Sequence, residues 1–62
     1  MLYDVKHYGE MIGNFPDFQT ACRVAQLVAV SERKTLAVVY NRTGQIEAVY
    51  PAPTRYEVIR HG

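Results

Sequence analysis

Only a few residues of this chain have a type and a spacing that could carry out chemistry. Cys22 is the single cysteine, and a thiol becomes a strong nucleophile only in an exposed, electropositive setting. On a helix its neighbours would be Ala21 and Ala25, so we expect Cys22 to pack as a small apolar side chain. His7 and Glu10 would bring two metal ligands together on a helix, but this stretch alternates like a strand and a turn, which predicts no metal site.

The other chemical patterns are absent or have a simpler explanation. The sequence has no glycine-rich phosphate loop, no nucleophile elbow and no paired carboxylates. Asn41, Arg42 and Thr43 match the N-glycosylation pattern, yet these residue types are also typical of a turn, and His61 is expected to be solvated. We therefore predict a protein that is not an enzyme, with no catalytic residues, no bound metal and no cofactor.

Tyrosines interleaved with arginines form a pattern that could bind single-stranded nucleic acid by base stacking and phosphate contact. The residues concerned are Tyr40, Arg42 and Tyr50 around a predicted hairpin, and Arg55, Tyr56 and Arg60 near the C-terminus. Glu47 and Glu57 interrupt this basic surface, and the formal net charge of +1 provides no general basic field. Nucleic-acid binding is therefore the alternative function, ranked below protein binding.

Composition and length are those of a small globular domain. Hydrophobic residues make up 48% and charged residues 21% of the 62 residues, values typical of a folded protein. A domain of this length buries only about 60% of the surface that its unfolded chain exposes, so its stability is marginal without a disulfide, a metal or an oligomeric contact. One cysteine cannot form an internal disulfide. We expect residues 1–62 to form a single domain that gains from a partner.

The sequence shows no signal for export or for membrane insertion. It begins at Met1 without a basic segment followed by an apolar run, and a lone thiol fits a reducing compartment. The longest apolar run is far shorter than the 18 or more residues that a membrane span requires. These features predict a small cytoplasmic protein that does not bind membranes.

The first residues predict a strand. Residues 1–8 alternate, with Tyr3, Val5 and His7 on one face, which is typical of a half-buried strand. The stretch from Gly9 to Asn14 is compatible with a connecting loop and with a return strand that completes a hairpin. The sequence does not separate these two possibilities.

A helix from about Asp17 to Arg33 follows. Asp17 can cap its free N–H groups, and Arg33 and Lys34 suit the negative end of the helix dipole. Successive residues lie about 100° apart around the axis. One face then carries the small or aromatic side chains of Phe18, Ala21, Cys22, Ala25 and Ala29, and an adjacent, bulkier flank carries Val24, Leu27 and Val28, with Val30 separate in the polar stripe.

The bulky side of this helix has no obvious cover in so short a chain. One sheet covers a helix on one side only. Each large aliphatic side chain left in water loses the roughly 1.5 to 3 kcal/mol of stabilisation that its burial would contribute. We interpret Val24, Leu27 and Val30 as apolar contacts for a partner protein or a second copy, with Arg23 as a charge at the rim. The alternative is that the segment before the helix or the C-terminal segment folds over them.

The stretch from Leu36 to Tyr50 predicts a β-hairpin. Asn41 suits the start of a type I turn, and Gly44 suits the left-handed position of a bulged loop. Residues 36–40 are apolar on both faces, which predicts a central strand. Simple alternation places Ile46, Ala48 and Tyr50 on one face of the return strand, and Gln45, Glu47 and Val49 on a wet face. Two prolines end this strand, and the residues after them form either an edge strand or a tail.

These elements predict an α+β fold, with a single helix packed on a three- to four-stranded, mainly antiparallel sheet in the order β(β)αββ. If the strands at residues 3–7 and 36–40 are parallel neighbours, the helix is the right-handed crossover between them.

The pattern F-x-D-F-x-x-A followed by V-x-Y-N-x-x-G-x-I resembles small uncharacterised bacterial and phage domains that carry one helix on a sheet. In this chain its residues are Phe15, Asp17, Phe18, Ala21, Val38, Tyr40, Asn41, Gly44 and Ile46. The resemblance implies a fold and no activity, and by analogy it includes phage or mobile-element proteins that modulate a host protein. We expect a non-enzymatic protein-binding or regulatory module that acts by surface complementarity and forms a homodimer.

Overall fold

The computed structural model describes residues 1–53, which form one helix on a four-stranded antiparallel sheet. The elements are β1 (Tyr3–His7), β2 (Glu10–Phe15), α1 (Phe18–Glu32), β3 (Leu36–Tyr40) and β4 (Gln45–Tyr50). The strands lie in the order β2-β1-β3-β4, and each neighbouring pair is antiparallel. The predicted α+β class and element order are confirmed. The prediction of an edge strand or tail over residues 54–60 lies outside the described residues.

The stretch from Gly9 to Asn14 is a strand rather than a loop. Tyr8 and Gly9 form a tight turn in which both residues have positive φ, 49° and 93°, and the chain then returns as β2 beside β1. Two successive left-handed residues are typical of a type I′ turn, whose twist matches that of the flanking strands. Tyrosine is an unusual residue at the first of these positions, because its Cβ disfavours positive φ.

Replacing Tyr8 by asparagine is expected to raise the free energy of unfolding by about 0.5 kcal/mol, because asparagine tolerates the left-handed conformation that the turn requires. Urea denaturation at 25 °C measures the change. Tyr8→Ala is the matched control, since it removes the same exposed ring without gaining that preference. An asparagine variant no more stable than the alanine variant would contradict the assigned turn.

The helix begins and ends with residues that satisfy its free backbone groups. The Asp17 carboxylate accepts hydrogen bonds from the Thr20 backbone N–H at 2.8 Å and the Thr20 hydroxyl at 2.9 Å. At the other end Arg33 takes the left-handed conformation, and its N–H bonds to the Ala29 carbonyl. Arg33 is therefore a C-cap residue, and the last turn of the helix contains no basic side chain. The predicted helix from about Asp17 to Arg33 is confirmed, with these two residues as its caps, and Arg33 and Lys34 lie just after the last turn rather than within it.

The helix connects β2 to β3. Both strands are antiparallel to β1, which lies between them, so β2 and β3 run in the same direction. β1 and β3 are neighbours but antiparallel, so the condition for a helical crossover between them is not met, because the β1–β2 hairpin reverses the chain before the helix begins. The arrangement is a split β-α-β unit with β1 in the gap, extended by β4 at one edge.

The core lies between the helix and one face of the two central strands. Its buried side chains are Val5, Ala21, Ala25, Ala29, Leu36 and Val38. Half-buried side chains, among them Tyr3, Phe15, Cys22, Val28, Ala48 and Tyr50, surround this cluster. Alanine at every fourth position brings the helix axis close to the sheet, which explains why the predicted small-residue face is the buried one.

The β3–β4 hairpin is confirmed, and β3 is a central strand as predicted. Gly44 has a φ of 76°, and its N–H donates to the Tyr40 carbonyl at 2.8 Å. The pairing then shifts register, because Val39 lies opposite Ile46 while Val38 lies opposite Ala48. The extra residue in β4 is Glu47, which makes this position a β-bulge.

Candidate functional site

The helix presents one exposed apolar stripe to solvent, and we call the set Arg23, Val24, Leu27 and Val30 the helix stripe. Leu27 is 64% and Val30 is 61% exposed. Arg23 is exposed and Val24 is half-buried. These four residues lie within about 120° of one another around the axis, so the structure brings the predicted partner-binding residues together on one surface.

Two side chains of the helix lie elsewhere than the sequence indicated. Val28, grouped with the bulky flank, packs against the core instead. Phe18, grouped with the buried face, is 41% exposed, although its ring lies 5.4 Å from that of Tyr3. Phe18 is the first helical residue, and its exposure shows that it is covered less fully than the alanines of the same face.

A second apolar surface lies on the side of the sheet opposite the helix, and we call it the open face. The register places the side chains of Lys6, Met11, Ala37, Val39, Ile46 and Val49 there. Met11, Ile46 and Val49 are each more than half exposed. No element formed by residues 1–53 packs on this face.

A groove of about 410 Å³ runs over β3 on the open face. Val39 forms its floor and is only 7% exposed, while Ile46 and Val49 form one wall. Thr35 and Leu36 lie at one end and Gly44 at the other, and the lining also includes Tyr8, which is 84% exposed. Among the described residues that line the groove, Lys6 is the only charged one.

Simple alternation missed this groove because of the bulge at Glu47. It predicted that Ile46 shares a face with Ala48 and Tyr50, and that Val49 lies on a wet face with Glu47. The prediction is wrong, because one extra residue reverses the side-chain parity on the far side of a bulge. Ile46 and Val49 consequently lie on the same face, opposite Val39 and Ala37, and make that face apolar. The signal in the sequence that could have indicated this apolar face was β3, whose residues are apolar on both sides of the strand.

A buried carboxylate connects three segments at one end of the open face. Asp4 is 3% exposed, and it accepts hydrogen bonds from the side-chain amides of Asn14 and Asn41. The Asn41 hydrogen bond, with smaller contributions from Asn14 and the nearby charge of Lys6, holds the pKa of Asp4 below its usual value despite the opposing effect of burial. The charged form is therefore the native one, and its role is to join β1, β2 and the β3–β4 turn.

The tyrosines predicted to bind nucleic acid do not form one platform. Tyr40 lies opposite Gln45 at the turn end of the hairpin, whereas Tyr50 lies opposite Leu36 at the far end. Both belong to the face that carries the helix, where the ring of Tyr40 lies 5.5 Å from that of Tyr3. Arg42 is exposed in the turn. Arg55, Tyr56 and Arg60 lie outside the described residues.

The residues considered for nucleophilic or metal chemistry have packing contacts. Cys22 is half-buried beside the core, and a hydrogen bond with this thiol, together with burial, raises the pKa of Tyr50. The His7 ring nitrogen Nδ1 lies 3.0 Å from the Thr35 carbonyl oxygen. Within residues 1–53, no three potential ligands among His, Cys, Asp and Glu gather as a metal site would require.

No family model, curated protein or solved structure matches this chain. The single helix in the described part of the chain is too short and too polar to cross a membrane. The helix stripe and the open face are exposed apolar surfaces formed by residues 1–53.

Proposed function

We propose that the protein is a non-enzymatic protein-binding module that self-associates through the helix stripe. The observation that carries the proposal is the exposure of Leu27 and Val30, one helical turn apart and in line with Arg23. Their occupant is a second copy of the chain, which meets the same stripe across a two-fold axis. Such an interface is isologous, so one apolar patch provides both halves.

Burial of the helix stripe provides the driving force. Leu27 and Val30 are each more than half exposed, and full burial of an aliphatic side chain of this size contributes roughly 1.5 to 3 kcal/mol. The monomer is a domain with six residues in its central cluster. Since domains of this size have little stability to spare, an interface that buries two aliphatic side chains on each copy stabilises the fold as well as the dimer.

The charges of the stripe suit an antiparallel pair of helices. With Leu27 near the two-fold axis, Arg23 of one copy lies beside Ser31 and the C-terminal end of the helix in the second copy. The free carbonyl groups at that end carry partial negative charge, which attracts the Arg23 guanidinium. A parallel pair would bring the two Arg23 side chains together instead, so the antiparallel arrangement is favoured.

The size of this interface sets its strength. The helix has 15 residues, which corresponds to a length of about 22 Å. Two such helices bury an area at the small end of specific interfaces, where association is transient. We therefore expect a dimer with a dissociation constant in the micromolar range or weaker, with about −8 kcal/mol or less favourable free energy of association.

Sedimentation equilibrium of the full chain over a wide concentration range tests the proposal. We expect the average mass of the wild type to rise from monomer towards dimer with concentration, and we expect Leu27→Glu to remain monomeric because it places two carboxylates at the two-fold axis. Gln45→Glu is the matched control, since it adds the same charge at an exposed position of β4, away from the helix. This control should dimerise like the wild type.

Two results would contradict self-association through the stripe. One is a wild type that stays monomeric at millimolar concentration. The other is a Leu27→Glu variant that dimerises as well as Gln45→Glu does, because the interface would then lie elsewhere. Circular dichroism of each variant checks that the fold is intact.

A further inference from the structure

Among the described residues, the lining of the groove on the open face changes from polar to apolar along its length. At the end nearest the β1–β2 turn it includes Lys6, Tyr8 and Thr35, which provide an ammonium group, a phenol and a hydroxyl group. Towards the β3–β4 turn it includes Val39 on the floor and Ile46 on the wall, which lie opposite each other. A groove with this gradient suits a ligand that has a polar head and an apolar body.

The charges along β1 determine which end of the groove attracts an anion. Within residues 1–53 the only ion pair joins Lys34 and Glu32, so no described carboxylate pairs with Lys6. The buried carboxylate of Asp4 lies two residues before Lys6 on the same face of β1. A negatively charged group is attracted by Lys6 and repelled by Asp4. Both charges therefore place the anionic part of a ligand at the polar end of the groove.

Two hydroxyl groups add hydrogen-bond donors at the polar end. The Thr35 hydroxyl accepts from the Ala52 backbone N–H at 3.1 Å, and its own proton can be donated to a ligand. The backbone of Thr35 is held by His7, whose Nδ1 lies 3.0 Å from the Thr35 carbonyl oxygen. Tyr8 is 84% exposed and has a φ of 49°, a conformation that its Cβ disfavours. Strained residues of this kind cluster at ligand-binding sites.

The size of the groove matches a small amphipathic molecule. Its volume of about 410 Å³ lies within the range of about 300 to 1,000 Å³ that is typical of small-molecule sites. The groove follows β3, which has five residues and a length of about 17 Å. Eight carbons joined by bonds of about 1.5 Å extend over about 10 Å. A chain of this length reaches from Lys6 to Val39 and Ile46.

The floor of the groove suits an aliphatic chain better than a peptide. β3 lies between β1 and β4 and is paired with both, so its backbone groups already have partners in the sheet. A peptide lying over β3 would bury its own N–H and C=O groups against apolar side chains, which is costly without hydrogen bonds. An aliphatic chain has no such groups to satisfy.

We propose that the groove binds an unbranched aliphatic carboxylate of about eight carbons. Its carboxylate lies at Lys6, Tyr8 and Thr35, and its chain lies over Val39 beside Ile46. The carboxylate is ionised at neutral pH, so it pairs with the Lys6 ammonium group. This site is on the opposite side of the sheet from the helix stripe and does not require self-association.

Titration of the full chain with octanoate at pH 7, followed by backbone amide resonances, tests the proposal. We expect saturable shifts at Ala37, Val39 and Val49, while the amides of the helix stripe stay unchanged. Hexanoate should bind about tenfold more weakly than octanoate, because it buries two fewer methylene groups.

A pair of lysine variants tests the position of the carboxylate. Lys6→Met should weaken octanoate binding about fivefold, because the charge pair is lost. Its affinity for 1-octanol, which has the same chain and no charge, should be unchanged. Lys34→Met is the matched control, since it removes the same charge from a side chain that pairs with Glu32 at 3.4 Å and is not part of the groove lining. This control should bind octanoate like the wild type.

Three outcomes would overturn the proposal. The first is the absence of saturable shifts at the groove amides at millimolar octanoate. The second is equal octanoate affinity in Lys6→Met and Lys34→Met, with circular dichroism showing both to be folded. The third is groove amides that shift with protein concentration and not with octanoate, which would assign the groove to a second copy. None of these results depends on whether Leu27→Glu remains monomeric, so the two proposals fail separately.

Discussion

Replacing Leu36 by alanine is expected to lower the free energy of unfolding by about 3 kcal/mol. Leu36 is fully buried and is among the largest side chains in the core. It lies beneath a helix whose buried contacts are alanines, which cannot move in to fill the space that the isobutyl group leaves. The loss of stability therefore includes both the lost transfer free energy of the side chain and the cost of the cavity that remains.

Urea denaturation followed by circular dichroism measures this loss. Leu27→Ala removes the same atoms from a side chain that is 64% exposed, so it is the matched control and should lose less than about 1 kcal/mol at concentrations where the protein is monomeric. If Leu36→Ala is already unfolded in buffer, Leu36→Val replaces it in the comparison. Its free energy of unfolding should be lower than that of the wild type by about 1 kcal/mol. Equal losses in Leu36→Ala and Leu27→Ala would contradict the assigned core.

The second large effect is expected at Asp4. Asp4→Ala leaves the amides of Asn14 and Asn41 without their shared acceptor, and loss of hydrogen bonds to a buried charged group costs about 2 kcal/mol. Asp4→Asn keeps the shape but removes the charge. We expect it to be less stable than the wild type at pH 7, as measured by urea denaturation.

The direction of the pH dependence follows from the lowered pKa. Because the pKa of Asp4 in the folded chain lies below its usual value of 3.8, the unfolded state binds the proton more tightly than the folded state does. The stabilising contribution is complete above pH 3.8 and disappears as the pH falls through the folded pKa. The stability difference between wild type and Asp4→Asn should therefore shrink as the pH falls below 3.8.

A pairwise comparison identifies the source of this effect. The Asn41 hydrogen bond is the largest cause of the lowered pKa, so Asn41→Ala should reduce the pH-dependent difference. Asp17 also has a lowered pKa, because of its hydrogen bonds to Thr20. Since Asp17 is present in every variant, its contribution to the pH dependence is the same in all of them. A stability difference between wild type and Asp4→Asn that is independent of pH would rule out the charged network.

The sequence predicted the local elements well because their signals are themselves local. Asp17 caps the helix and Gly44 closes the hairpin through contacts a few residues apart, and such contacts depend on residue type more than on the rest of the chain. Apart from Phe18 and Val28, the buried and exposed sides of the helix were predictable for the same reason. Ala25 and Leu27 differ in angular position, and the helical period fixes that difference.

The parts that the sequence did not predict depend on register and on long-range pairing. The bulge at Glu47 changes the parity of β4, and no residue type in the strand identifies it. The placement of Asp4 between Asn14 and Asn41 requires pairing across 37 residues. Tyr40 and Tyr50 are ten residues apart around a hairpin, but the register puts them at opposite ends of it.

The alanine face of the helix also has an entropic consequence. Ala21, Ala25 and Ala29 have no side-chain rotamers to lose when they are buried, and Val5 and Val38 are already restricted about χ1. Most of the central cluster is made of such side chains. Longer side chains at these positions would bury more area, but each would give up about 0.5 to 2 kcal/mol of rotational freedom. This short chain therefore assembles its interior with little loss of side-chain entropy.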